Sequence, residues 1–140
     1  MPSLLERLAV ILGDIALPVA REPDGALTFR HEGTFASLRV VTIFEDLDLV
    51  SLTQMVAWDL PLTKKIRDRV AQQARSAQLG AVTLAEKAGQ APVTGGRPGK
   101  TADVMLRYNF PGAGLSDDAL RTLILIVLDN GAAIRRALIR

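Results

Sequence analysis

Cysteine is absent from this chain of 140 residues. That absence excludes disulfides, thiolate metal sites and cysteine nucleophiles, and it leaves the redox compartment open. Histidine occurs once, at position 31, and tryptophan and tyrosine once each. Aromatic residues make up 4% of the chain and hydrophobic residues 49%, so the core has to be aliphatic. That apolar share is too high for a disordered polymer. Membrane-length apolar runs are missing too: LILIVL at 123–128 falls far short of the ~20 residues that cross a bilayer. The opening MPSLLERLAVILGDIALP has no basic n-region, and Glu6, Arg7 and Asp14 interrupt it at helical spacing, so it does not read as a signal peptide. A cytoplasmic protein with no membrane span is the expectation. Charge of one sign is scarce as well. The formal balance of +2 permits nucleic acid as a partner but does not favour it.

What is present is clear periodicity. Ser3 is a plausible N-cap, and Leu5, Leu8, Leu12 and Ile15 follow on one face of an amphipathic helix that ends near Pro18. After the turn signal Pro23-Asp24-Gly25, ALTFRH alternates. His31-Glu32-Gly33 reads as a turn. FASLRVVTIF is apolar on both faces, which predicts a mid-sheet strand covered on both sides. Glu45 to Asp48 makes the next turn, and LVSLTQMVAW sets Val50, Leu52, Val56 and Trp58 on one side, up to Asp59-Leu60-Pro61. Three strands on short connections predict an antiparallel meander. From Thr63 to Ala77 the pattern is helical, with Ile66, Val70, Ala74 and Ala77 on one side. AVTLAEK is a short strand, AGQAPVTGGRPGKT a long loop, and ADVMLRYNF an alternating strand with Val104, Leu106, Tyr108 and Phe110 inward. Ser116 caps a last helix, and Asp117 and Asp118 suit its positive end. Leu120, Ile124, Val127, Gly131, Ile134 and Leu138 form its buried stripe. Gly131 on that stripe argues for close packing rather than a break. The order α-βββ-α-ββ-α describes one α+β domain over 1–140, an antiparallel sheet flanked by helices.

GGRPGKT at 95–101 imitates a phosphate-binding loop. The spacing fails, because the position that must be glycine is Thr94, and Pro98 lacks an amide hydrogen where donors are needed. The context fails as well, since such a loop opens a helix and this one opens a strand. LILIVLD at 123–129 imitates a magnesium-holding strand but lies in a helical pattern. His31 sits in a turn where a solvated side chain is expected, and no serine has a nucleophile-elbow context. Glu45, Asp46 and Asp48 lack the calcium-loop pattern and read as an acidic turn. No catalytic residue, metal ligand or cofactor is therefore expected.

Two features remain as candidate partner-binding residues. Lys64, Lys65 and Arg67 lead a basic helix face that could touch phosphates or an acidic segment. A solvated face is the commoner explanation of such a charge run, and no aromatic residue interleaves to stack on bases. Met55 and Trp58 end the third strand, where core packing or an exposed protein-binding patch are the alternatives.

The segment DVMLRYNFPGAGLSDDALRTLILIVLDNGAAIRRAL, with its strand ending in Arg107-Tyr108-Asn109-Phe110-Pro111, a glycine-rich turn and a long apolar helix, resembles the YbjN-like proteins. Their domain is related in fold to class I type III secretion chaperones. The resemblance implies a small antiparallel sheet flanked by helices, often a homodimer, that holds a client segment on an apolar groove or sheet edge. It carries no catalytic signature. A non-enzymatic protein-binding module with a protein client or regulatory partner is the leading expectation, and a nucleic-acid-binding regulator using the basic helix is the alternative.

Overall fold

A computed structural model describes residues 2–16, 18–93 and 97–139, with the backbone alone at 88–93 and 97–99. Three helices and six strands follow one another as α1 (Leu4–Ile15), β1 (Ala20–Arg21), β2 (Leu27–His31), β3 (Thr34–Phe44), β4 (Leu47–Pro61), α2 (Lys64–Ser76), β5 (Ala81–Val93), β6 (Arg97–Pro111) and α3 (Asp117–Leu138). The strands form one antiparallel sheet in the order β1-β2-β3-β4-β6-β5. The β2-β3-β4 meander is as expected. The last hairpin folds back so that β6, not β5, pairs with β4. No described helix is long and apolar enough to cross a membrane.

Each helix starts on a hydroxyl cap. Ser3 accepts from the Glu6 amide, Thr63 from Ile66 and Ser116 from Ala119, which satisfies one otherwise unpaired amide at each N-terminus. The expected stripe of α3 is buried in full, joined by Leu128 and Ala132. In α1 the buried line runs through Leu4, Leu8, Ile11 and Leu12, with Leu5 and Ile15 only flanking it. In α2 only Ile66 and Val70 are buried. Ala74 is exposed and Ala77 half-buried, so this helix docks by its first two turns.

Three strand expectations are corrected. The segments 88–93 and 97–101, expected as loop, continue the two strands of the hairpin, with Ala88 opposite Lys100, Pro92 opposite Pro98 and Val93 opposite Arg97. Beyond the reach of β4 this is a two-stranded ribbon with two outward edges, where a missing proline N–H costs no ladder bond. Thr94, Gly95 and Gly96 of the loop imitation lie outside the described residues, while Lys100 and Thr101 lie within a strand, not at a helix start. The short β1 had no periodic signal. Asp48 belongs to β4, where its carboxylate accepts from Thr42 Oγ1 at 2.6 Å, and β4 itself runs on through Pro61.

The core lies between the sheet and the helices. Inward strand residues such as Leu38, Val50, Leu52, Val104 and Leu106 join the buried sides of all three helices in one cluster. Amid it sits a polar side chain, Gln54, with no exposure. Its Nε2 donates to Thr34 Oγ1 at 2.8 Å and to the Leu128 carbonyl at 3.1 Å. Gly131 of the unbroken α3 passes directly over it: a Cβ there would stand 2.0 Å from Gln54 Oε1. Only a hydrogen fits in that position, and Gln54 Oε1 beneath it has no hydrogen-bond partner.

Candidate partner-binding surface

Because every helix packs into that one cluster, the other face of the sheet carries no described helix. β3 therefore differs from its expected two-sided cover. Thr34, Ala36 and Leu38 point into the core, whereas Phe35 and Val41 are 42% and 44% exposed. The apolar composition of both faces was read as burial of both, but only one face has a partner here.

Strand register orders the bare face into rows. Phe35, Met55 and Met105 lie side by side. The next row is Ser37, Thr53 and Arg107, and the next Arg39, Ser51 and Asn109. Val41, Leu49 and Pro111 complete the set. Two apolar rows thus flank two rows of hydroxyl, amide and guanidinium groups. Side chains on one face repeat every second residue, so the apolar rows stand about 20 Å apart. Past Val41 the β3–β4 tip adds Ile43, Leu47 and Phe44, the last 73% exposed.

Met55 is accordingly on the bare face, between Phe35 and Met105. Trp58 is not a core residue. The register slips between Met55 and Ala57, placing Val56 and Ala57 both inward, and Trp58 emerges 41% exposed. Such a bulge inserts one residue and reverses the alternation behind it. The Arg135 guanidinium lies 5.0 Å from the Trp58 ring centre and donates to the Val56 carbonyl at 3.0 Å, a position past the last residue of β4 that β3 reaches. Lys64, Lys65 and Arg67 are exposed on α2, on the helix side of the sheet, with Arg67 paired to Glu86 at 3.0 Å. The fold therefore separates the two groups of candidate residues and does not combine them.

Two ion clusters border the bare face. Arg39 pairs with Asp24 at 2.6 Å. The Ala26 amide and the Arg39 guanidinium hold the Asp24 carboxyl below its ordinary value. At the β4 bulge, Lys87 Nζ meets Asp103 at 2.8 Å and Asp59 at 2.6 Å, and the Asp59 amide donates to Asp103. Asp59 itself takes a left-handed φ of 57°, and this cluster fixes that turn of chain. The hydrogen bonds that Lys87 donates to the Asp103 and Asp59 carboxylates hold its ammonium above the ordinary lysine value. Burial works to raise Asp103, but Lys87 and the Asp59 amide together hold it low.

These shifts set a pH window. A lowered carboxylate stabilises the fold above its unfolded value near 3.8 and stops doing so as pH falls through its folded value. A raised ammonium stabilises below 10.5 and stops as pH climbs through its folded value. The melting-temperature difference between the protein and its Lys87→Met variant should be constant between about pH 5 and 9, and shrink below about pH 4. A difference that does not change on acidification would show that the cluster contributes nothing.

No family model matches the chain, and no match was found among curated proteins. The rows were missed in the sequence because they depend on register across strands far apart in the chain. The signal available was the second apolar face of 35–44 together with Met55 and Met105.

Proposed function

We propose that the protein is a non-enzymatic, chaperone-like regulatory module that binds an extended segment of a client protein on the bare face of its sheet. The observation that carries this reading is the banded face itself: apolar rows at Phe35-Met55-Met105 and Val41-Leu49-Pro111, with polar rows between. Exposed apolar clusters rimmed by polar residues mark protein-interaction sites. The rows also describe the client. It has apolar anchors about six extended residues apart, matching the ~20 Å between rows. Between them it carries acidic or hydrogen-bonding groups to meet Arg107 and the hydroxyl and amide groups of Ser37, Thr53, Ser51 and Asn109.

The resemblance of 103–138 to the YbjN-like proteins supports the same reading, because relatives of that fold hold client segments on grooves and sheet edges. It adds two expectations, a cytoplasmic setting and a homodimer, and sedimentation at several concentrations measures the second. Trp58, exposed beside the bulge, is a further anchor at the end of β4.

The test is capture from native lysate with three forms of the protein, with and without nuclease. A partner recovered by the wild type should fall at least ~10-fold with Phe35→Asp combined with Met55→Asp, as loss of central apolar anchors does. It should persist with Lys64, Lys65 and Arg67 all changed to Ala, and nuclease should not alter it. The opposite pattern, loss with the α2 variant and with nuclease, would replace this reading by nucleic-acid binding through α2.

A further inference from the structure

The chain's single histidine was expected to be solvated in its turn. Its side chain is instead only 16% exposed, and it faces a residue 98 positions away: Nε2 lies 3.0 Å from Asp129 Oδ1 on α3. Glu32 closes the group, with Oε2 at 3.8 Å from the same nitrogen. The three ligand atoms all lie within 4.8 Å of one another. We propose that His31, Glu32 and Asp129 form a site for a divalent transition-metal cation of the zinc type, clamping the β2–β3 turn to α3.

The spacing is the first argument. In a tetrahedral site with bonds of about 2.0–2.1 Å, ligand atoms stand about 3.3 Å apart. The observed 3.0 and 3.8 Å from the ring nitrogen bracket that value, and the two carboxylate oxygens lie within 4.8 Å of each other. Charge is the second. Two carboxylates converge on one ring nitrogen, and a divalent cation compensates the charge of both. Donor chemistry is the third. One imidazole nitrogen with two carboxylate oxygens suits zinc, cobalt or nickel, whereas calcium and magnesium prefer oxygen alone.

Arg136 Nη1, at 3.7 Å from Glu32 Oε2, occupies part of the same field. A bound cation displaces that weak contact, so Arg136 competes and holds the affinity down. This competition separates a metal site from an ordinary ion-pair cluster, in which removing Arg136 would gain nothing.

The experiment uses the full chain without an affinity tag. Zinc chloride is titrated by calorimetry, and melting temperature is followed with zinc and, separately, with magnesium. Zinc should bind at one equivalent and raise the melting temperature by about 5 °C near saturation, as ligation to the native state requires. His31→Gln should weaken binding at least ~10-fold, since an amide oxygen is a poor substitute for imidazole, and Arg136→Ala should tighten it about 3-fold. Should His31→Gln not fold, Glu32→Gln in the exposed turn serves in its place and should also weaken zinc. Absence of one-equivalent binding, an equal shift with magnesium, or zinc binding unchanged in the ligand variants would overturn the proposal.

Discussion

Replacing Gly131 by alanine is expected to destabilise the protein by about 2–4 kcal/mol, the cost of overpacking a core and disturbing buried hydrogen bonds. The sign is the informative part. In a helix interior alanine is ordinarily favoured over glycine by about 1 kcal/mol. Here the new Cβ would stand 2.0 Å from Oε1, 2.3 Å from Cδ and 2.6 Å from Nε2 of Gln54. Gln54 has no room to yield. It is wholly buried, and its amide nitrogen is tied to Thr34 on β3 and to Leu128 on α3. Either α3 lifts from the sheet or both hydrogen bonds are lost. Urea unfolding followed by circular dichroism measures the loss. Gln54→Ala alone also costs stability, but adding Gly131→Ala to it should cost nothing further, because the obstructing side chain is gone. If Gly131→Ala is neutral by itself, the close approach of α3 to β4 is wrong.

Arg7→Ala should cost about 1–2 kcal/mol, because one of its three acceptors, the Leu115 carbonyl, is partly buried and the other two can turn to water. The Arg7 side chain is 19% exposed and leaves α1 to serve three acceptors. Nε donates to Asp117 Oδ1 at 2.8 Å, Nη1 to the Ala113 carbonyl at 3.2 Å, and Nη2 to the Leu115 carbonyl. One guanidinium thus joins the first helix to the glycine-rich turn and to the first turn of the last helix. A lysine has a single nitrogen centre and cannot span the three, so Arg7→Lys should recover less than half of the loss. Asp117→Asn should cost well under 1 kcal/mol, because that carboxylate is largely in water. Equal losses for Arg7→Ala and Asp117→Asn in urea midpoints would reduce Arg7 to a surface ion pair.

The sequence made the helices and the meander legible because those features are local. A hydroxyl cap followed by apolar residues at three and four places marks Ser3 and Ser116, and alternation marks 102–110. Gly131 was read correctly as a close-packing residue, yet its neighbour was not. Gln54 shares the parity of Leu52 and Val56, and a polar residue in register with an apolar stripe is the signal of a buried network. Trp58 was placed on the wrong side since a bulge leaves no trace in composition. The strand at 88–93 was hidden by glycine and proline, which suppress strand propensity without preventing a ribbon. Among site residues, Met55 and Trp58 were flagged, while Phe35, Val41 and Met105 join them only through pairing. His31 was judged by its own turn, and Asp129, which gives it a partner, lies 98 residues on.

The strand order has a consequence for the nascent chain. From β1 to β4 each strand lies beside its predecessor, so the sheet can grow as it emerges from the ribosome. Growth then stops at β4. Its free edge waits for β6, and the last of that partner, Pro111, is made 50 residues after Pro61. At ~5–20 residues per second the wait is about 3–10 s. During it, a 15-residue strand carrying Leu49, Val50, Leu52 and Val56 offers an unpaired edge to any other extended chain. A folding hazard is therefore built into the same topology that seats Met55 beside Met105, and slow decoding of 62–111 should lower soluble yield where slow decoding of 1–61 does not.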